Sequence, residues 1–172
     1  AKGEYILLLN NDTELIEPDS LKELLSTCMR DEVGIVGAKL LYDDDSIQHA
    51  GVVIGFSGYA GHVFTGIMSK YEYGYMMRAA ITCDYSAVTA ACLMTKKSIW
   101  KQVGGLDESF KVACNDIDYC LKVRDLNKLV VYDAFSVWHH YESKSRGYED
   151  NPEKKARYED EVARWQKKWG KY

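Results

Sequence analysis

The sequence predicts an α/β domain, and three observations carry that expectation. The apolar run Tyr5-Ile6-Leu7-Leu8-Leu9 stands close to the start and ends in the polar turn Asn10-Asn11-Asp12-Thr13-Glu14. Such a run reads as a strand buried on both faces, as in the middle of an α/β sheet. An amphipathic helical segment follows it, and further strand-like and helical stretches succeed one another to the end of the chain. A buried central strand needs neighbours on both sides, and none precedes this one. The sequence is therefore expected to begin in mid-domain.

Each element has its own local reason. A helix is expected from about Pro18 to Met29: Pro18 suits a first helical turn, and Glu17 and Asp19 suit its positive end. Leu21, Leu24, Leu25 and Cys28 recur at helical spacing and form one apolar face. Val33 to Tyr42 and Ile47 to Ile54 read as strands joined by the turn Asp43-Asp44-Asp45-Ser46, a hairpin whose register the connection leaves open. Gly55 to Tyr75 is rich in glycine and tyrosine without periodicity and reads as a long loop, often a functional segment in compact domains. Ala87 to Thr95 reads as a buried strand, and Lys96 to Val103 as a short helix stopped by Gly104-Gly105. Asp116 to Leu126 is amphipathic, and Leu129 to Tyr132 and Phe135 to Trp138 are short strands. The charged helix from Pro152 to Trp169 carries Tyr158, Val162, Trp165 and Trp169 on one stripe, so it is expected to dock.

Composition narrows the function classes. The 172 residues fit a single domain with a real core. They are 47% hydrophobic and 28% charged, with only two prolines, which is a globular composition. A net charge of −4 and scattered basic residues give no footprint for nucleic acid. The mixed basic run from Lys154 to Arg157 reads as a solvated helix face. No stretch approaches the roughly 18 apolar residues of a membrane span. The five cysteines, Cys28, Cys83, Cys92, Cys114 and Cys120, form no CxxC pair and suggest neither a zinc site nor a disulfide framework. They read as reduced thiols of a cytoplasmic protein, several of them core fillers.

Three stretches could carry chemistry. Asn10-Asn11-Asp12 closes the first strand, and ligands of open α/β sheets collect beyond the carboxyl ends of strands. A carboxylate there can hold Mg²⁺ or Mn²⁺ bridged to phosphates, although Asn and Asp also simply form turns. Asn115-Asp116-Ile117-Asp118 precedes a helix, where an Asp either caps the helix or serves as a general base. Trp138-His139-His140-Tyr141-Glu142-Ser143-Lys144-Ser145-Arg146-Gly147 gathers imidazole, cations and hydroxyls after a strand, and suits a metal with a phosphate. Adjacent histidines on a strand face opposite ways, so one of the two is expected at a site.

As an ordered set these stretches resemble family 2 glycosyltransferases of the GT-A fold, close to bacterial rhamnosyltransferase-like enzymes of surface-polysaccharide synthesis. The matching runs include Gly3 to Glu14, Ile47-Gln48-His49-Ala50-Gly51-Val52-Val53, Ser86 to Met94, Val103 to Phe110, Asn115 to Arg124 and His140 to Gly147. The resemblance implies a GT-A-like mixed sheet flanked by helices, seen as the acceptor-side, C-terminal part of the catalytic domain over residues 1–172, with residues 152–172 as its C-terminal helix. It makes Asp12 and His140 metal ligands for Mn²⁺ or Mg²⁺, with Asn10 in place of the usual first Asp of the DXD motif. Asp116 becomes the catalytic base of an inverting transfer, with Asp118 the next candidate. Asn10, Lys144, Ser145 and Arg146 would meet the donor diphosphate, and Ala90, Ala91 and Cys92 would lie beneath the acceptor. The implied partners are a UDP- or dTDP-sugar donor and a glycan or lipid-linked acceptor, the latter adding the inner membrane face to a cytoplasmic setting.

The sequence departs from the family in lacking an opening nucleotide-binding half of roughly 80–100 residues. The chain alone is therefore expected to be nearly inactive, and the edge of the first strand to favour self-association into a homo-oligomer. Two rivals stand beside this reading. One is a non-catalytic glycan- or partner-binding module of the same fold. The other is a nucleotidyltransferase, which would be expected to carry a Gly-rich phosphate loop.

Overall fold

The computed structural model describes residues 2–56, 59–141 and 152–170. Among the described residues nine strands and four α-helices follow one another as β1 Tyr5–Leu9, β2 Thr13–Leu15, α1 Ser20–Cys28, β3 Val33–Leu41, β4 Ile47–His49, β5 Val52–Ile54, β6 Ala60–His62, β7 Cys83–Asp84, β8 Cys92–Lys96, α2 Lys97–Val103, α3 Asn115–Arg124, β9 Leu129–His140 and α4 Pro152–Trp169. The main sheet runs β1-β8-β3-β9-β2, with β4 added on β3 and β7 on β9. It is mixed: β3 and β9 are parallel, whereas β1, β3 and β8 pair antiparallel. A separate ribbon pairs β5 with β6.

The strand buried on both faces is β3, not β1. Every residue of β3 is buried, and its side chains feed two cores. Val36, Ala38 and Leu40 join Leu24 and Cys28 of α1 on one face. Ile35 and Leu41 face α3, α4 and the β5–β6 ribbon on the other. Truncating fully buried Leu40 to Ala should cost about 2–5 kcal/mol, since the removed methyls leave a cavity. Among the described residues β1 has a single strand partner, β8, and lies at the edge, half-buried. Its apolar run had suggested a central position because sequence alone cannot say which strand has neighbours.

Most expected elements occur with shifted ends. The hairpin through Asp43–Ser46 forms, with Leu40 opposite His49 and Leu41 opposite Ile47. The run Ile47 to Ile54 is not one strand, however. It breaks at Gly51, which takes φ +108° while the Tyr85 ring lies against its Cα, and β5 then turns away to pair with β6. The long loop therefore contains β6 and ends in a 3-10 turn at Tyr75–Met77. The two short strands before His139 are one strand, β9, whose register against β3 slips between Ala38 and Lys39. Asp133, buried at that irregularity, accepts hydrogen bonds from Thr27 Oγ1, Thr82 Oγ1 and the Phe135 amide.

The last helix docks as its stripe predicts. Trp165 and Trp169 are buried, and Trp165 meets the Tyr59 ring edge-on at 4.9 Å. All five cysteines are free thiols, and Cys28, Cys92, Cys114 and Cys120 are buried. No helix of the described residues is long and apolar enough to cross a membrane.

Candidate active site

The polar turn after β1 is fastened from two sides. Asn10 N–H donates to the Ala91 carbonyl at 2.9 Å, continuing the β1–β8 ladder. The Thr13 hydroxyl donates to Asn10 O at 2.8 Å, and the Tyr141 amide donates to Asp12 O at 2.9 Å. Strand β2 then pairs with the end of β9, with Thr13 opposite His140. Two stretches far apart in the chain thereby meet, and His140 Nε2 stands 3.3 Å from Asp12 Oδ1. Asn10 Nδ2 is 3.0 Å from the same imidazole nitrogen.

Gln48 settles the tautomer of that imidazole. Its Nε2 donates to the backbone carbonyl of His140 at 3.1 Å, which turns its Oε1 to His140 Nδ1 at 2.7 Å. An amide oxygen only accepts, so the proton of neutral His140 sits on Nδ1 and the lone pair of Nε2 points at Asn10 and Asp12. Nε2 takes the Asn10 amide proton, while the Asp12 carboxylate lies beside it as a second electron-rich donor. Two ligands cis on one octahedral ion with bonds of about 2.1 Å stand roughly 3 Å apart, so this pair fits a hard divalent cation. Among the described residues no cluster of three or more His, Cys, Asp or Glu forms a complete cage. An ion that bridges to phosphate needs only one or two protein carboxylates, so the pair suffices for that type of site.

Asp116 is on the next element along. Cys114 takes the N-cap place of α3 with φ +68°, and Asp116 lies in the first helical turn. Its carboxylate is held by two backbone amides, Oδ2 by Ala90 N–H at 3.2 Å and Oδ1 by Ile117 N–H at 2.8 Å. Each oxygen retains lone-pair capacity for a further donor. The contacts are continuous: Asp116 touches Ala90, whose neighbour Ala91 holds Asn10, which touches His140. The candidate metal pair and a carboxylate base candidate thus lie close together.

Other expected residues separate in space. Cys92 is fully buried in the core on the α1 side, where desolvation pushes its thiol up to about 12. His139 faces away from Asp12, with Nε2 3.0 Å from Asp45 Oδ1. Hydrogen bonds from Lys70 and then His139 hold the Asp45 carboxyl below the ordinary range. Asp118 is no alternative base: it is fully buried between Lys122 at 3.0 Å and Lys168 at 2.7 Å, and it accepts the Trp169 indole N–H at 2.8 Å. Lys144, Ser145 and Arg146 lie outside the described residues. Gln48 was not singled out from sequence, although it sits beside His49 in a run that carried the family resemblance. Glu161 was also missed. Its carboxylate, 1% exposed, accepts the successive amides of Lys111, Val112 and Ala113 at 3.1, 3.3 and 2.7 Å, just before Asp116.

No protein-family profile matches the chain. Over 170 residues it is 48% identical to uncharacterized protein y4gI of Sinorhizobium fredii, covering 98% of this chain and 19% of that protein. Over 153 residues it is 38% identical to the O-antigen biosynthesis protein RfbC of Myxococcus xanthus, covering 89% of this chain and 12% of the relative. The chain thus spans less than a fifth of either curated relative. Among solved structures it superposes on the mannosyltransferase PcManGT of Pyrobaculum calidifontis, in complex with GDP-Man and Mn²⁺, with TM-score 0.55 and 12% identity, over 86% of this chain and 34% of that one. GalNAc-T7 with UDP, GalNAc and Mn²⁺ gives TM-score 0.65 and 11% identity, over 94% of this chain and 31% of that one. The chain therefore has the fold of the GT-A glycosyltransferases and spans about a third of those two neighbours.

Proposed function

We propose that this chain is the acceptor-side part of a metal-dependent, inverting glycosyltransferase that uses a nucleotide-sugar donor. The observation that carries the reading is the single cluster of Asp12, His140 and Asp116, joined through Asn10, Ala91 and Ala90. Asp12 and His140 would hold Mn²⁺ or Mg²⁺, which when bound offsets the charge growing on a departing diphosphate. Asn10 would lie beside that diphosphate, with Lys144, Ser145 and Arg146 as further partners.

Asp116 has a different task. Its two amide contacts fix the carboxylate, so the remaining lone pairs can take the proton of an acceptor hydroxyl as that oxygen attacks the anomeric carbon. Attack from the face opposite the leaving group gives inversion. Ala90 and Ala91 would lie on the acceptor side, Ala90 through the amide that holds Asp116. A glycan or lipid-linked acceptor of bacterial surface polysaccharide fits the O-antigen relative. Such an acceptor would bring a cytoplasmic enzyme to the inner membrane face. The chain spans about a third of its structural neighbours, so we expect weak donor binding and little turnover from it alone. The half-buried edge of β1 offers a route to self-association, which a concentration-independent monomer in sedimentation would exclude.

The test is nucleoside diphosphate release from UDP-, dTDP- and GDP-sugars with Mn²⁺, by the full-length protein beside Asp116→Asn. Release that requires metal and falls about 10²–10⁴-fold in the variant supports the reading. Near wild-type release from Asp116→Asn removes the base assignment. No release from a folded protein with any donor moves the reading to a glycan- or partner-binding module of the same fold.

A further inference from the structure

A cavity of about 450 Å³ opens at the far end of α3 from Asp116. The chain from Tyr85 to Ala90 runs along that helix: Tyr85 O meets Arg124, Val88 meets Cys120 and Ala90 meets Asp116. Arg124 is the last residue of α3, about 12 Å along the axis from Asp116. The facing walls come from the β5–β6 ribbon and from Tyr75 and Arg78 of the 3-10 turn. Among the described residues that line the cavity, none belongs to the Asp12, His140 and Asp116 cluster.

Its charges are only partly matched. Arg124 Nη1 donates to Asp84 Oδ1 at 2.9 Å and to Tyr85 O at 2.8 Å, so this cation has a carboxylate partner. Arg78 forms no ion pair among the described residues. Its Nε donates to the Tyr85 hydroxyl at 3.2 Å and its Nη2 to Asp84 O at 3.4 Å, and the guanidinium lies 4.7 Å from the centre of the Tyr85 ring. These partners are neutral, so they fix the group at the cavity wall without cancelling its charge. Among the described residues no bond uses Nη1 of Arg78 or Nη2 of Arg124. The Ser86 hydroxyl shares the same cavity. Two guanidinium groups and a hydroxyl from three segments suit an anion with three acceptor oxygens, which a phosphate monoester has and a carboxylate lacks.

The turn beside Arg78 is exposed and strained. Tyr75, Met76 and Met77 are 75%, 73% and 52% exposed, and Tyr71 and Tyr73 just before them are exposed as well. Met76 and Met77 take φ +51° and +61°, a left-handed backbone that is costly for a residue with a Cβ. The neck of this loop is pinned from the core. Lys39 Nζ donates to Lys70 O at 3.0 Å and to Ala79 O at 3.4 Å, and the Tyr132 hydroxyl donates to Ala79 O at 3.0 Å. The fold thus holds two methionines out in water at a conformational cost. Glu72, the only acid between Tyr71 and Met77, turns back to accept Ser69 N–H at 2.6 Å. Thioethers and tyrosine rings with a cation at their foot match an amphiphile, an apolar chain that ends in an anionic head.

We infer that cavity and turn form one site for a phosphate-bearing lipid, its phosphate on Arg78 and Arg124 and its hydrocarbon over Tyr75, Met76 and Met77. The site stands apart from the sugar-transfer reading, because the Asp12, His140 and Asp116 cluster takes no part in it.

Calorimetric titration of the chain, in buffer free of metal and phosphate, compares dodecyl phosphate, dodecanoate, dodecyl maltoside and inorganic phosphate below their micellar concentrations. Dodecyl phosphate should bind at least about tenfold tighter than each of the others, since it alone joins the phosphate head to the tail. Arg78→Gln should weaken that binding about tenfold, and Met76→Ser combined with Met77→Ser should do the same. Asp12→Asn should bind dodecyl phosphate like the parent, which separates this site from the metal pair. Equal binding of any other probe overturns the inference, and so does binding that both surface variants leave intact or that Asp12→Asn abolishes. If Arg78→Gln does not fold, the comparison of probes on the parent chain decides. Vesicles of phosphatidylcholine carrying phosphatidic acid or a polyisoprenyl phosphate then name the source. Co-sedimentation with the first assigns a membrane phospholipid, with the second alone an isoprenoid carrier, and with neither overturns the site. A dimer that the methionine double variant abolishes, without lipid binding, gives the turn to a second copy of the chain instead. A protein that binds dodecyl phosphate but releases no nucleoside diphosphate keeps this site and loses the transfer reading.

Discussion

Gln48 and His140 are joined twice, the Gln48 amide donating to the His140 backbone carbonyl at 3.1 Å and its oxygen taking the imidazole Nδ1 proton at 2.7 Å. The first bond fixes which end of the amide faces the ring, and the second fixes which ring nitrogen is left for Asp12. Gln48 is 4% exposed, so water cannot easily replace it.

Gln48→Leu should therefore weaken Mn²⁺ binding about 10–100-fold, the usual cost of losing the group that orients a ligating histidine. Gln48→Glu should recover part of that loss, because a carboxylate also accepts from Nδ1. Calorimetric titration of the chain measures both. Equal affinity in Gln48→Leu and the parent would show that ring orientation does not depend on this residue.

Asn10→Asp should act in the opposite sense. Asn10 Nδ2 lies 3.0 Å from the His140 lone pair, so an arriving cation must displace that donor. A carboxylate at position 10 removes the competing N–H and adds a negative charge beside Asp12. We expect tighter Mn²⁺ binding, by about tenfold, from a favourable charge interaction of roughly 1.4 kcal/mol near a protein surface. Weaker binding in Asn10→Asp would mean that the amide helps hold the ion.

Local pattern made much of this arrangement legible. Apolar spacing located α1, though Leu21 and Leu25 of the expected face are exposed and Ser20, Leu24 and Cys28 are the buried residues, and the tryptophan stripe located α4 with its docked face. Asp12, His140 and Asp116 could be named because their stretches, each ambiguous alone, resemble a known family as an ordered set. What could not be read is pairing. The assignment of central strand went to β1 rather than β3, since both are apolar and only tertiary contacts decide which one is enclosed. Ile47 to Ile54 looked like one strand because nothing local shows that the chain breaks at Gly51, beside the Tyr85 ring far along the chain. Asp118 resembled Asp116 on paper, and only the arrival of Lys168 and Trp169 from α4 shows it to be a structural anchor. Gln48 and Glu161 escaped notice for the same reason, their roles being set by atoms many residues away.

Thiol labelling should distinguish the cysteines. Desolvation raises Cys28 and Cys114 to about 11 and Cys92 to about 12, and Cys120 upward as well. Their thiolate fractions at neutral pH are correspondingly small, and thiolate is the reacting form. Cys83 is also raised by partial burial, yet it is the one cysteine not fully enclosed. A disulfide reagent at pH 8 should modify about one thiol in the native chain and all five after denaturation. Rapid reaction of Cys28 and Cys92 in the native chain would show that the α1-side core opens readily.

Glu161 sets the last expectation, because it links α4 to the segment that delivers Asp116. Its buried carboxylate gathers three successive amides, Lys111 to Ala113, and Asn115 and Asp116 begin α3 directly afterwards. Arg164 Nη1 adds a bond to Ser109 O, and Lys168 reaches Asp107 at 2.9 Å, so α4 grips the same segment along its length. Glu161→Ala strands buried amide protons and should destabilise the fold by on the order of 3 kcal/mol. Glu161→Gln keeps an acceptor oxygen without the charge and should lose less. If the segment merely adds stability, the Glu161→Gln full-length enzyme will keep its turnover at temperatures where it remains folded. A positioning role instead predicts a fall in kcat at unchanged Mn²⁺ affinity, because Asp12 lies in the turn after β1 and His140 at the end of β9, apart from the segment that Glu161 holds. Denaturant midpoints, Mn²⁺ titration and kcat measured on that one variant separate the two roles.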